Sequence, residues 1–230
     1  MGLSEPEYLN VLASITADVS EVPEASANIA NALNDMMTEA EMRLGGRLPG
    51  CYLGGILFAG DRPRIRSPFS FDDSVYIYLS MRVLFDLKEH LYAAAYWTMA
   101  HETVHLLSYI KGQKVTVLEE GIACWFQRNY SRSHNNTYWQ QYIPAYANAE
   151  ALFSRLLEYD TDIVKRLRQI EPAISLITSE TLRLYCPELP AECAEALASP
   201  FDRNWVPSCP SKRTYWHRIF GRYKSHTSRT

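Results

Sequence analysis

Two histidines four residues apart, in the run His101-Glu102-Thr103-Val104-His105, constrain this chain more than any other feature. An α-helix turns once every 3.6 residues, so positions i and i+4 share a face and both imidazoles can grip one metal ion from one side. Fifteen residues after His105 comes Glu120, in Leu118-Glu119-Glu120-Gly121-Ile122-Ala123. Zinc takes nitrogen and oxygen ligands in a tetrahedron, and a catalytic zinc keeps three protein ligands and one water. His101, His105 and Glu120 are the candidate ligands of a Zn2+ ion. Glu102, beside the first histidine, is placed to take a proton from the bound water. That is the layout of a zinc-dependent hydrolase.

The arrangement needs a helix, and the spacing predicts one from about Asp86 to Ile110, with Gly112 as its stop. Trp97, Ala100, Val104 and Leu107 recur at helical spacing and are expected to pack inward. Thr98, His101, Glu102 and His105 gather on another side as a polar strip for a cleft. The plainer alternative is a helix with two ordinary histidines and no metal.

The pair of segments, His101-Glu102-Thr103-Val104-His105 and Glu120-Gly121-Ile122-Ala123, resembles the gluzincin metallopeptidases, the thermolysin-like and aminopeptidase-like side of the zincins. The resemblance covers about residues 75 to 130. It implies that His101, His105 and Glu120 bind zinc, that Glu102 is the general base, and that the fold is zincin-like. Two departures stand out. The connection between the motifs is shorter than in the large gluzincins. Four residues after Glu120, where thermolysin-like enzymes carry an Asp that orients a zinc histidine, this chain has Cys124.

Zinc-bound histidines normally donate their other ring N–H to a carboxylate or carbonyl. Glu119 could accept it, although a neighbouring helical residue projects about 100 degrees away from Glu120. Glu119 as the ligand in place of Glu120, and Cys124 as a thiolate ligand, are lesser alternatives. Gly121 and Ala123 read as small residues that let their helix press close to the metal-binding helix. A donor for the tetrahedral oxyanion is expected downstream among Tyr130, His134, Tyr138, Tyr142 and Tyr146, with Tyr130 and His134 as the named candidates. Tyrosine is so abundant, fifteen in all, that packing is the favoured reading of any one of them.

Upstream, Cys51–Phe58 reads as a strand with a glycine irregularity and Asp73–Leu79 as a second strand. A strand just before the metal helix is where zincins place the edge that pairs with an extended peptide, and an ordinary core strand is the alternative. The segment Asp61–Pro68 between them reads as a polar, proline-bearing loop that either flanks the cleft or, as basic loops usually are, is simply solvated. Ser4-Glu5-Pro6-Glu7 opens a helix, and Ile29, Leu33, Met36, Met37, Ala40 and Leu44 keep helical spacing up to Gly45-Gly46. Further helices are expected at about 144–169, 173–185 and 191–198.

The fold class expected is α+β: a small mixed sheet over a metal-binding helix, with further helices on both flanks. One domain is expected over 1–210, made of N-terminal helices at 1–48, a motif core at 50–130 and C-terminal helices at 140–200. Residues 211–230 form a basic tail with six basic side chains and no acid, a weak nucleic-acid signal, so nucleic acid is not expected as a partner. At 230 residues and 47% hydrophobic, the chain can bury a core without metal or disulfide help. Its net charge of −3 points to no particular partner. No stretch is apolar enough to span a bilayer, and the acidic start does not read as a secretory signal. Five cysteines, an odd count, favour a reducing compartment, and a cytoplasmic location is expected. Cys186 and Cys193 pair only if the fold brings them together. The reading is a zinc metallopeptidase acting on a peptide or protein substrate. The alternative is a zincin-like partner-binding module with little or no catalysis.

Overall fold

The computed structural model describes residues 1–18, 23–60, 62–67, 74–88, 91–136 and 143–205. Ser4 caps α1 (Glu5–Asp18): its backbone N–H and its hydroxyl donate to Glu7 Oε2 at 2.9 and 2.8 Å, a capping box. The same carboxylate is salt-bridged to Arg47 and accepts the Leu53 N–H at 2.8 Å, which ties the helix to the first strand. In α2 (Pro23–Leu44) Ile29, Leu33, Met36, Met37, Ala40 and Leu44 are all buried. That helix ends at Gly45, whose φ of +98° lies in the left-handed region that favours glycine.

Three strands follow: β1 (Tyr52–Phe58), β2 (Arg64–Arg66) and β3 (Ser74–Leu79), in the order β1-β3-β2. β1 runs parallel to β3 and β2 antiparallel to it, so the small sheet is mixed. The glycine irregularity is a register shift between Leu53 and Gly55. A Cβ on Gly54 would sit 2.5 Å from the Tyr76 ring, and one on Gly55 2.8 Å from Ser14 Oγ of α1. Close packing on both faces therefore demands the two glycines.

Two expectations change here. β3, the strand before the helix that carries His101 and His105, is the ordinary core strand of the two readings and not a substrate-pairing edge. The edges are β1 and β2, and β2 lies within the segment read from sequence as a polar loop. Three residues are too few to display alternation, and β2 is a strand only because Arg64 and Arg66 find Tyr78 and Tyr76 across the ladder.

The long helix expected from Asp86 to Ile110 is two: α3 (Met81–Lys88) and α4 (Ala93–Leu106). The Leu91 N–H reaches back to Asp86 O at 2.7 Å, a wider turn than helical i→i−4 pairing, and α4 restarts beyond it. No Gly or Pro marks this break. At the other end the Leu107 N–H bonds Val104 O at 3.1 Å and tightens the last turn, while Gly112 lies in the connection beyond.

Next come α5 (Val117–Ser133), α6 (Pro144–Tyr159), α7 (Ile163–Ile170), a 3-10 turn (Ile174–Leu176), α8 (Ser179–Tyr185) and α9 (Ala191–Ala198). The helix expected over 144–169 is thus split. Asp160 Oδ1 accepts the Asp162 N–H at 2.9 Å and turns the chain locally. The helix expected over 173–185 likewise begins at Ser179, capped by Thr178, with only the short turn before it.

α4 packs against α2, α5 and the sheet. Arg168 of α7 clamps the ends of two helices from one guanidinium. It donates to the carbonyls of Leu44, Gly45 and Gly46 beyond α2, of Leu107 beyond α4, and of Pro172, all at 2.7–3.2 Å. Gly121 of α5 faces α6 rather than the metal-binding helix: a Cβ there would lie 2.6 Å from Ala149 O. Cys186 is a free thiol, so no Cys186–Cys193 pair forms, and Cys193 is itself disulfide-bonded. Among the described residues no helix is long and apolar enough to cross a membrane. The basic tail at 211–230 lies outside the described residues.

Candidate metal centre

α4 presents His101, Glu102 and His105, and the first turn of α5 presents Glu119 and Glu120. Thr116 caps α5 by accepting the Glu119 N–H at 3.3 Å. The start of α5 is also stitched to the segment after α9, through Val117 N–H to Ser199 O and Phe201 N–H to Val115 O, both 2.9 Å. Glu119 holds the position from which a capping-box glutamate reaches back to the cap. Here its side chain turns to His105 instead.

Three donor groups converge. His101 Nε2 lies 3.3 Å from His105 Nε2 and 3.1 Å from Glu120 Oε2, and His105 Nε2 is 4.0 Å from Glu120 Oε1. Bonds of about 2.0–2.1 Å to a tetrahedral ion place its donor atoms about 3.3 Å apart. The first two separations fit that spacing and the third is longer. Protons decide what these contacts mean. His105 Nδ1 is 2.8 Å from Glu119 Oε1, and an ionised carboxylate only accepts, so Nδ1 carries the proton. In the neutral ring Nε2 is then a bare lone pair facing His101 Nε2. Glu120 Oε2 is buried and, despite its nearness to His101, has no hydrogen-bond partner. Either a proton on His101 Nε2, directed at Glu120, or a metal ion would satisfy the lone pairs that face one another there.

Electrostatics point the same way. Glu102, Glu119 and Glu120 are all buried, at 4%, 4% and 7% exposure, around two imidazoles, and buried carboxylates need compensating positive charge. Burial works to lower the pKa of both histidines, yet each ends above its ordinary value: His101 through Glu120 and His105 through Glu119. Burial raises the Glu102 carboxyl, and the charge of Glu120 adds to the rise. Burial also pushes Glu120 up, but His101, His105 and the guanidinium of Arg203 hold it below the usual carboxylate range. Among the described residues Glu102 has no hydrogen-bond partner, and it lines the adjoining cavity of about 980 Å³.

The chain matches no protein family, no curated protein and no solved structure. The chemistry of the centre therefore rests on its own residues.

The imidazoles are held from behind. Glu119 meets His105 Nδ1, on the far side of the ring from the point where the donors converge. Gln127 of α5 hydrogen-bonds His101 as an acceptor, which favours the protonated ring, while its Nε2 donates to Trp97 O of α4 at 2.7 Å. Gln127 lies seven residues, two helical turns, after Glu120, and that spacing is the signal by which it could have been found. Cys124 is buried with its Sγ 4.0 Å from His101 Nδ1. His101, Glu120 and Cys124 also bring donor atoms within 4.8 Å of one another. The set with His105 is preferred, because its two shortest separations are shorter and burial keeps the Cys124 thiol protonated, its pKa raised well above the ordinary value.

Tyr130 and His134 are not at the site. They stack on each other with centroids 4.0 Å apart, and neither lines the cavity. Tyr138 and Tyr142 lie outside the described residues. Tyr146 of α6 approaches the centre: its ring is 6.0 Å from that of His101, and, like Tyr109, it lines the cavity. Burial and the charge of Glu120 push its pKa up to about 12, so it keeps its proton and can donate it in a hydrogen bond. Arg62 and Arg64, from the segment read as flanking the cleft or simply solvated, line the cavity, as do Lys114 and Arg203, for which no place there was expected.

Proposed function

We propose that this protein is a zinc-dependent hydrolase of peptide bonds, built on a zincin-like α+β fold of the gluzincin type. The single observation that carries the reading is the convergence of His101 Nε2, His105 Nε2 and the Glu120 carboxylate, with Glu119 holding the proton on His105 Nδ1. His101, His105 and Glu120 would hold the metal. Zinc bound there supplies an acidified water at neutral pH and a Lewis acid for the substrate carbonyl.

The remaining chemistry belongs to the chain. Glu102 is buried, free of hydrogen-bond partners among the described residues, and raised in pKa, which suits a base that takes a proton from water and returns it to the leaving amine. Tyr146 offers a phenolic proton for the oxyanion that develops on the carbonyl. Glu119 and Gln127 keep the two imidazoles in place, and fixed donors cost no reorganisation during reaction. With these two present, the lack of an Asp at position 124 does not leave the histidines unsupported. β2 offers an edge beside the cavity along which an extended peptide can pair.

The test is metal content of untagged protein after zinc-supplemented expression, for wild type, His105→Ala and Glu102→Gln, followed by peptide-hydrolysis assays. The expected result is about one zinc per chain in wild type and Glu102→Gln, loss in His105→Ala, and turnover in wild type alone. Protein without stoichiometric metal refutes the reading. Zinc without turnover leaves the partner-binding module.

A further inference from the structure

The cavity beside the centre has an acidic floor and a basic rim. Its floor carries Glu102, Glu119 and Glu120; its rim carries Arg62, Arg64, Lys114 and Arg203. These four cations come from three separate segments: the sheet edge, the α4–α5 connection and the chain after α9. The rim carboxylate among the described residues is Asp202, whose Oδ1 accepts the Asn204 N–H at 2.7 Å. Among the described residues neither Lys114 nor Arg203 forms an ion pair, although the charge of Arg203 acts on Glu120. Arg64 is held differently. Its guanidinium lies 5.0 Å from the centre of the Tyr78 ring, and its Nε is buried with no hydrogen-bond partner. A cation stacked in place, lining one cavity with two exposed cations that form no ion pair, is an arrangement for receiving carboxylates.

We propose that the cavity selects peptides with acidic side chains on both sides of the scissile bond, with Arg64 and Arg203 as the principal specificity residues. The inference rests on the hydrolase reading and deepens it by naming the substrate class. The division of charge favours a peptide over a nucleic acid. A neutral peptide backbone can lie over three carboxylates while its acidic side chains reach the rim, and β2 supplies main-chain pairing. A phosphodiester backbone would bring its own charge against the floor.

The test uses the full-length, zinc-loaded Glu102→Gln protein and fluorescence anisotropy. The probe is a labelled eight-residue peptide with Glu on both sides of a central Ala-Leu; its comparison has Gln at the same positions. Exposed ion pairs contribute up to about fivefold each, so the acidic peptide is expected to bind about tenfold tighter or more. That margin should shrink in 1 M salt, where screening acts within about 3 Å, and it should vanish in Arg64→Glu/Arg203→Glu protein that retains its zinc and circular dichroism. Equal binding of the two peptides overturns the proposal, as does equal or tighter binding of an oligothymidylate of matched charge. The two readings fail separately. Wild type that cleaves peptides without charge preference sinks the substrate class alone, whereas selective binding by protein that never cleaves sinks the hydrolase alone.

Discussion

Replacing Glu119 tests whether the centre is organised as described, because Glu119 should act on the metal only through His105. Its carboxylate is 4% exposed and meets His105 Nδ1 at 2.8 Å. Removing a carboxylate that orients a metal-bound histidine typically costs 10- to 100-fold in metal affinity, or roughly 1.4–2.7 kcal/mol. Glu119→Ala should fall in that range, since it leaves a buried ring N–H without an acceptor. Glu119→Gln keeps an acceptor oxygen and loses only the charge. The difference between charged and neutral hydrogen bonds, about 1 kcal/mol, corresponds to about fivefold. Glu120→Ala removes a ligand and should cost more than either. The assay is a competition titration against a chromophoric zinc chelator, with circular dichroism on each variant to establish that the fold is intact. If Glu119→Ala binds zinc as tightly as wild type, the orienting role is wrong. If it binds more weakly than Glu120→Ala, the two glutamates have been assigned in reverse.

Arg168→Met should destabilise the protein by about 3–5 kcal/mol in denaturant unfolding, because the carbonyls ending α2 and α4 lose a buried charged donor; a change under about 1 kcal/mol would show that the clamp is replaceable by water. Gly121→Ala forces a methyl against Ala149 O and should cost about 1–3 kcal/mol while displacing the start of α5, so thermal stability and zinc affinity should fall together. Glu7 gives a pH dependence. Burial pushes its pKa up, but Arg47 and the Leu53 and Ser4 donors pull it below the ordinary 4.5. Its contribution is therefore full above about pH 4.5 and is lost as pH falls through the lower folded-state value. The melting-temperature gap between wild type and Glu7→Gln, equivalent to about 3 kcal/mol at neutral pH, should narrow on acidification below that point; a gap that widens there contradicts the sign.

The helices that were legible in the sequence are those whose ends carry their own chemistry. Ser4 with Glu7, Gly45 after Leu44, and Pro190 before Ala191 each supply a local stop or start, and α1, α2 and α9 begin or end there. The break between α3 and α4 carries no such mark, and the turn at Asp160 is an Asx hydrogen bond that periodicity does not register. β2 was hidden because a strand of three residues has no pattern of its own and exists only through its partner.

The centre divides in the same way. That His101 and His105 share a face, and that Glu120 follows at a fixed remove, is set by helical geometry and by the order of residues. The spacing along one helix says nothing about how a second helix crosses it. Only the packing of α5 against α4 decided that Glu119 meets the far nitrogen of His105 while Glu120 meets the near ones. The same crossing brought Gln127 within reach of α4, and the docking of α6 chose Tyr146 over Tyr130 and His134. Residues within one helix are related by a repeat that the sequence contains. Residues on different elements are related by burial of apolar faces far apart in the chain, and that relation exists only once the whole core has formed.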